Sequence, residues 1–223
     1  MDDKVFLAVP TYDGRVSMHA MTGVVYASRR PAAVACHTSS LLAHGFNMLW
    51  CAGLASGANI WAMLHADIGP DRYWVDTLLD ELDKHQADIM SAVVPIKNDD
   101  HQYSVAIARD QCAATYRLTH EHLEQLPRTF GAEDVRRVSG QGGVLCANTG
   151  CWVCRLDRPW ARQVYFEIAS RIDWSDPGKP RPLVISEDWG FSMQVQRLGG
   201  KVMCTRAVGV RHWGERSWAI EAR

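Results

Sequence analysis

The stretch Trp61-Ala62-Met63-Leu64-His65-Ala66-Asp67-Ile68-Gly69-Pro70 changes character halfway: an apolar, strand-like run ends in two polar residues separated by one alanine, and Gly-Pro follows. A short apolar run bounded by turn residues suits a buried strand. In an open α/β sheet, ligands gather outside the carboxyl ends of the strands, so a strand over 60–64 would deliver His65 and Asp67 to a binding rim. Imidazole and carboxylate both ligate divalent metals. Each residue also has a plainer role, His65 as a strand-end histidine satisfied by a backbone carbonyl and Asp67 as the cap of a turn.

Outward from this stretch, the surrounding segments alternate between strand and helix. Residues 5–10 form a second apolar run closed by Thr11-Tyr12-Asp13-Gly14, 17–28 keep helical spacing after Ser17, 32–36 read as a strand, and 41–56 as a helix behind Ser39-Ser40. Downstream, 70–86 carry Val75, Leu78, Leu79 and Leu82 on one face, and 88–94 are again strand-like. The order β-α-β-α-β-α-β calls for a mostly parallel sheet covered on both faces.

After Pro95 the alternation breaks. Segments 103–108, 113–118, 136–139, 142–147 and 151–155 read as short strands of mixed direction, and 160–172 as a helix. Residues 173–181, rich in proline and charge, suit either a mobile lid or an ordinary surface connection. A helix over 187–198, stopped by Gly199-Gly200, and strands over 202–205 and 208–212 complete the chain. The expectation is one α/β domain over 1–223, an α/β/α sandwich with a Rossmann-like, mostly parallel half (1–97) and a mixed-sheet half (98–223).

The chain has 223 residues, and its 24 basic and 25 acidic side chains leave a formal charge of −1, so it has no global attraction to nucleic acid or membranes. No run reaches the length of a membrane span or has the flanks of a secretory signal, so a soluble, cytoplasmic protein is expected. Among its seven cysteines, Cys151-Trp152-Val153-Cys154 has CxxC spacing. Strand alternation puts residues three apart on opposite faces, so buried structural thiols are expected there instead of a redox or zinc pair.

Taken in order, Val9-Pro10-Thr11-Tyr12-Asp13-Gly14-Arg15-Val16, Asn47, Leu64-His65-Ala66-Asp67-Ile68 and Pro95-Ile96-Lys97 resemble the nucleotide-binding half of GT-A-fold glycosyltransferases. Gly143 through Gly150 resembles the glycine-rich strand before that family's acceptor site, and Ser186-Glu187-Asp188-Trp189-Gly190-Phe191 resembles its xED motif. Leu198-Gly199-Gly200-Lys201-Val202 and Val210-Arg211-His212-Trp213-Gly214 are similar to its late strand and histidine turn. The likeness spans nearly the whole chain through several short motifs. It departs at His65, where the family usually has the first aspartate of its DxD; a nitrogen ligand still suits Mn²⁺ while disfavouring Mg²⁺.

The resemblance implies transfer of a sugar from a nucleoside diphosphate sugar, most often UDP-linked, to an acceptor hydroxyl, assisted by Mn²⁺ or Mg²⁺. Asp67 would be the principal metal ligand, joined by His65, His212 and the diphosphate oxygens. Pro10, Thr11, Tyr12, Arg15 and Ala66 would meet the donor, with Asn47 and Lys97 at polar positions near it. Asp188 would be the base of an inverting reaction, and Glu187 would orient the acceptor or exchange roles with it, since adjacent carboxylates titrate as a pair. Gly150, Trp152, Trp189 and Trp213 would face the acceptor.

Plainer roles stand beside these. Glu187-Asp188 could simply complement a helix N-terminus, His212 could be a core histidine, Asn47 and Lys97 could be surface residues, and large rings are routine core material. A nucleotidyltransferase would share the nucleotide-binding half, although Pro10-Thr11-Tyr12-Asp13-Gly14 lacks the glycine-rich, basic first loop of that class. The degenerate His65-Ala66-Asp67 also suits a catalytically silent module that binds a nucleotide sugar or a protein. A sugar, a protein and a modified nucleic-acid base stay open as acceptors; the last would need a basic face built from residues such as Arg136, Arg137, Arg155 and Arg158.

Overall fold

The computed structural model of this chain describes residues 3–98, 100, 102–108, 115–214 and 217–222. Its first part runs β1 (Val5–Thr11), α1 (Met18–Val25), β2 (Ala32–Thr38), α2 (Leu42–Ala55), β3 (Ile60–Leu64), β4 (Ile68–Pro70), α3 (Trp74–Lys84) and β5 (Ile89–Ala92). The second part continues with β6 (Gln102–Ala108), β7 (Thr115–Thr119), α4 (His120–Gln125), β8 (Thr129–Phe130), α5 (Ala132–Ser139), β9 (Val144–Cys146) and β10 (Cys151–Arg155). It closes with β11 (Ala169–Asp173), β12 (Arg181–Ile185), α6 (Glu187–Arg197), β13 (Val202–Thr205), β14 (Val210–Trp213) and β15 (Ser217–Ile220).

Seven strands form the main sheet in the order β2-β1-β3-β10-β5-β13-β8. β1 runs parallel to β2 and β3, and β13 runs parallel to β5. β10 lies antiparallel between β3 and β5, and β8 is antiparallel to β13. The result is the expected Rossmann-like, mostly parallel α/β sheet, with a strand of the second half inserted into the first.

Strand alternation sends one set of side chains to each face. Trp61 and Met63 of β3 join Phe46, Leu49 and Trp50 of α2 on one side; Ile60, Ala62 and Leu64 join Trp74, Val75, Leu78, Leu79 and Leu82 of α3 on the other. The same alternation divides Cys151 from Cys154 between the two cores. Both are buried, which pushes both thiols above their usual range and leaves no CxxC chelate. No helix among the described residues is long and apolar enough to cross a membrane.

Two local expectations need correction. Residues 136–139 are not a strand but the end of α5, because Asp134 accepts the Gly131 N–H at the helix start, Arg136 and Arg137 pair one turn back with Glu133 and Asp134, and Gly140 turns the chain out at φ 68°. The helix expected over 160–172 is instead a turn, an irregular segment and β11. There Asn47 holds both backbone groups of Phe166, accepting its N–H at 2.8 Å and donating to its carbonyl at 2.7 Å, so these groups are satisfied without a helix. The 173–181 segment is the end of the β11–β12 hairpin, where Asp173 accepts the Ser175 N–H and pairs with Arg181 at 2.8 Å. The strand expected over 113–118 begins at Thr115, and residues 113–114 lie outside the described residues.

Candidate functional site

The parallel strands β1 and β3 end side by side, and their exits line a cavity of about 450 Å³ whose wall includes Pro10, Thr11, Tyr12, Arg15, His65, Ala66 and Asp67. Thr11 shapes the first exit: its hydroxyl lies 2.9 Å from that of Thr38 and accepts the Gly14 N–H at 3.2 Å, while Gly14 takes the left-handed φ of 81° that glycine adopts at no steric cost. Tyr12, 74% exposed, and Arg15 project from this turn.

The second exit is fixed through its backbone. His65 N–H donates to the Gly150 carbonyl, Ser17 N–H to Ala66 and Trp213 N–H to Asp67, each at 2.8 Å. With the main chain held, the Asp67 Oδ2 meets the Lys97 ammonium at 2.5 Å and the His212 Nε2 at 3.5 Å. His212 Nδ1 lies 2.8 Å from the Pro95 carbonyl, to which it donates, and this aims Nε2 at Asp67. Burial favours a raised pKa for Asp67, but hydrogen bonds from His212 and Lys97 outweigh it and hold the carboxyl well below its usual range.

His65 lies beside this pair with its ring centroid 5.2 Å from that of Phe46 and its Nε2 buried without a partner. Burial lowers its pKa to about 4, against the raising effect of Asp67, so it is a neutral imidazole at physiological pH, the form that binds metals. Gly150 packs against it: a Cβ there would stand 2.4 Å from Ile68 Cδ1 and 3.3 Å from His65 Nδ1. Gly150 therefore supports the rim by close packing.

Among the described residues no three His, Cys, Asp or Glu side chains gather as a metal cluster, so His65 lies near Asp67 and His212 without forming a three-ligand site with them. The pair of Asp67 and His212 remains, with the histidine oriented from behind by a carbonyl. A carboxylate and an imidazole fit a divalent ion that completes its sphere with diphosphate oxygens and water.

Next to the 148–150 turn, α6 starts with Glu187 and Asp188 in its first turn. Asp188 Oδ1 accepts from the Ser186 hydroxyl and, at 2.8 Å, from the Trp189 N–H; Oδ2 stands 3.5 Å from Asn148 Nδ2. Asn148 also accepts the Gly150 N–H at 2.6 Å, so the 148–150 turn links the Asp188 carboxylate to the backbone of His65. Burial raises the pKa of Asp188 despite the hydrogen bonds from Ser186 and Trp189 and the charge of Arg117. Burial, reinforced by Asp188, lifts Glu187 to about 7.

The Glu187 shift makes a stability prediction. A carboxyl whose folded pKa exceeds its unfolded value favours folding below the unfolded pKa, and that contribution is lost as pH rises through the folded one. The rise from 4.5 to about 7 corresponds to about 3 kcal/mol, so Glu187→Gln is expected to be stabilised relative to wild type by up to that amount at pH 8 and by little at pH 4. Denaturant melts at the two pH values check this; equal differences at both would refute it.

The structure redistributes the other candidates. Trp152 is 1% exposed among Trp50, Trp61 and Phe191, so it belongs to the core and not to an acceptor surface. Asn47 is spent on the Phe166 backbone, which removes it from the donor set. Trp213 stacks on His19 at 4.0 Å with an interplanar angle of 5°. Trp189 is buried, with the Arg117 guanidinium 4.7 Å from its ring centroid. Sequence reasoning missed Arg117 and Asn148, although Asn148 falls within the glycine-rich stretch it singled out.

No family model matches the sequence, and no curated protein matches it. Among solved structures, A197 from STIV aligns with 99% of this chain and 94% of its own at 12% identity and a TM-score of 0.56. A CMP:2-keto-3-deoxy-manno-octonic acid synthetase complexed with CTP aligns with 91% of this chain and 89% of its own at 13% identity, with a TM-score of 0.43 that adds nothing to the assignment. The likeness to A197 is one of fold alone. Fold and geometry together define a Rossmann-like α/β protein with a cleft at the exits of its parallel strands.

Proposed function

We propose that this chain is a glycosyltransferase that moves a sugar from a nucleoside diphosphate sugar, UDP-linked, to an acceptor hydroxyl, with a divalent metal, Mn²⁺ ahead of Mg²⁺, held by Asp67 and His212. The observation that carries this reading is the link between two carboxylate sites through the 148–150 turn: Asp67, beside Lys97 and His212 at the β3 exit, and Asp188 at the start of α6, whose carboxylate stands 3.5 Å from Asn148 while Gly150 holds the His65 N–H. Hydrogen bonds hold the Asp67 carboxyl down, whereas burial pushes Glu187 and Asp188 up. Titratable groups pushed apart in this way divide acid, base and cation-holding roles.

In this reading the first half of the chain, 1–97, holds the donor and the second, 98–223, the acceptor, as parts of one domain. The Tyr12 ring stacks on the nucleoside base and Thr11 lies beside the nucleoside. When bound, the metal stabilises negative charge on the departing diphosphate. Asp188 takes the acceptor hydroxyl proton, with Asn148 and Ser186 setting its carboxylate, and Glu187 orients the acceptor. The direction of attack is inverting.

Thermal stabilisation by a panel of nucleoside diphosphates and nucleotide sugars, with and without Mn²⁺, tests the donor half. A ligand present at 100 times its dissociation constant adds about 2.7 kcal/mol, a shift of several degrees for a domain of this size. Uridine nucleotides are expected to give that shift with Mn²⁺ and much less without it. No shift from any member of the panel would contradict the proposal.

A further inference from the structure

We propose that Lys97 is a placeholder cation: its ammonium occupies the Asp67 carboxylate while the site is empty and passes to the donor's diphosphate when a divalent ion takes Asp67. This rests on the metal-dependent reading above and adds a role for a side chain that a simple metal site does not need.

Two groups meet at the Asp67 Oδ2, and only one of them is free to leave. The Asp67 backbone is bonded to Trp213, and β14 seats His212 opposite Ile68 of β4. The His212 ring is held from behind by the Pro95 carbonyl, and Pro95 itself bridges to Tyr103. Lys97, by contrast, reaches Asp67 on a flexible four-carbon stem, is one-third exposed, and has no second ion pair or hydrogen bond among the described residues. Its side chain can swing without moving Pro95, and so without releasing His212.

Charge then dictates the exchange. An ammonium 2.5 Å from Asp67 Oδ2 fills the position that a divalent ion would need, and two cations sharing one carboxylate oxygen repel each other. A free metal must therefore displace the lysine at a cost. A diphosphate arriving with the metal offers the lysine a new anionic partner beside the old one, and a compact ammonium binds phosphate well. Metal and nucleotide should accordingly bind cooperatively, each weakly alone, and Lys97 is the element that couples them.

The test uses Mn²⁺ and UDP as probes on wild type, Lys97→Met and Asp67→Ala, with free Mn²⁺ followed by electron paramagnetic resonance and UDP by calorimetry. Without UDP, Lys97→Met is expected to bind Mn²⁺ about tenfold tighter than wild type. At saturating Mn²⁺ it is expected to bind UDP about tenfold more weakly. Unchanged or weaker Mn²⁺ binding by Lys97→Met, alongside Mn²⁺ binding in wild type that Asp67→Ala abolishes, would overturn the placeholder role and leave the metal site standing. Unchanged UDP affinity in Lys97→Met would overturn the transfer to diphosphate. Absence of Asp67-dependent Mn²⁺ binding in every variant would overturn both the placeholder and the metal assignment.

Discussion

Replacing Asp67 by alanine is expected to weaken Mn²⁺-dependent donor binding by at least about a hundredfold, close to 3 kcal/mol, while the protein stays folded. Asp67 is the carboxylate on which His212 and Lys97 converge, so its removal leaves His212 as a single protein ligand and Lys97 without its resting partner. Folding depends on it little. Its structural bond is made by the backbone carbonyl to Trp213 N–H, which alanine preserves, and its side chain is 44% exposed. Ion pairs at such positions contribute about 1 kcal/mol or less, so the melting temperature should move by only a few degrees. Calorimetric titration with Mn²⁺ and UDP, paired with a circular dichroism melt, checks both halves; a folded Asp67→Ala that keeps Mn²⁺-dependent binding refutes the assignment.

Asp188→Asn is expected to have the converse phenotype: donor binding is spared, and transfer falls by about 10²- to 10⁴-fold, the range for loss of a positioned base. Asparagine keeps the shape and can still accept the Trp189 N–H, so the start of α6 is preserved. What it loses is the capacity to take a proton. The pH profile supplies an independent check. A base acts when ionised, so transfer should rise with pH through the titration of the Glu187–Asp188 pair, whose members burial holds above the usual carboxylate range, Glu187 at about 7. Because the two couple, the limb belongs to the pair. Asp188→Asn should remove most of the rate along with that limb, and an unchanged rate and profile would dismiss Asp188 as the base.

Much of this arrangement was legible along the chain because it depends on local order. The apolar run before His65 specified β3, and the polar pair after it had to emerge at a parallel-strand exit, where Asp67 lies. Alternation likewise separated Cys151 from Cys154 onto opposite faces. The sequence could not show that Asn47, beside a helical stripe, would be spent on Phe166, 119 residues away, nor that this contact would replace a helix at 160–172. Trp152 illustrates the same limit: aromatic rings suit sugar faces and cores alike, and only the stacking of Trp50, Trp61 and Phe191 around it decides between them. The close approach of Lys97 to Asp67 depends on the sheet order that brings the exits of β3 and β5 to one rim, a tertiary fact without a local signature.

The most direct measurement is the identity of the phosphate product. Incubated with a panel of UDP-sugars, Mn²⁺ and water as a poor acceptor, the protein should release UDP and free sugar slowly, and should release no pyrophosphate when given nucleoside triphosphates with sugar phosphates or sugar acids. Pyrophosphate release from the triphosphates, with no UDP released from any nucleotide sugar, would contradict glycosyl transfer and assign the cleft to nucleotidyl transfer.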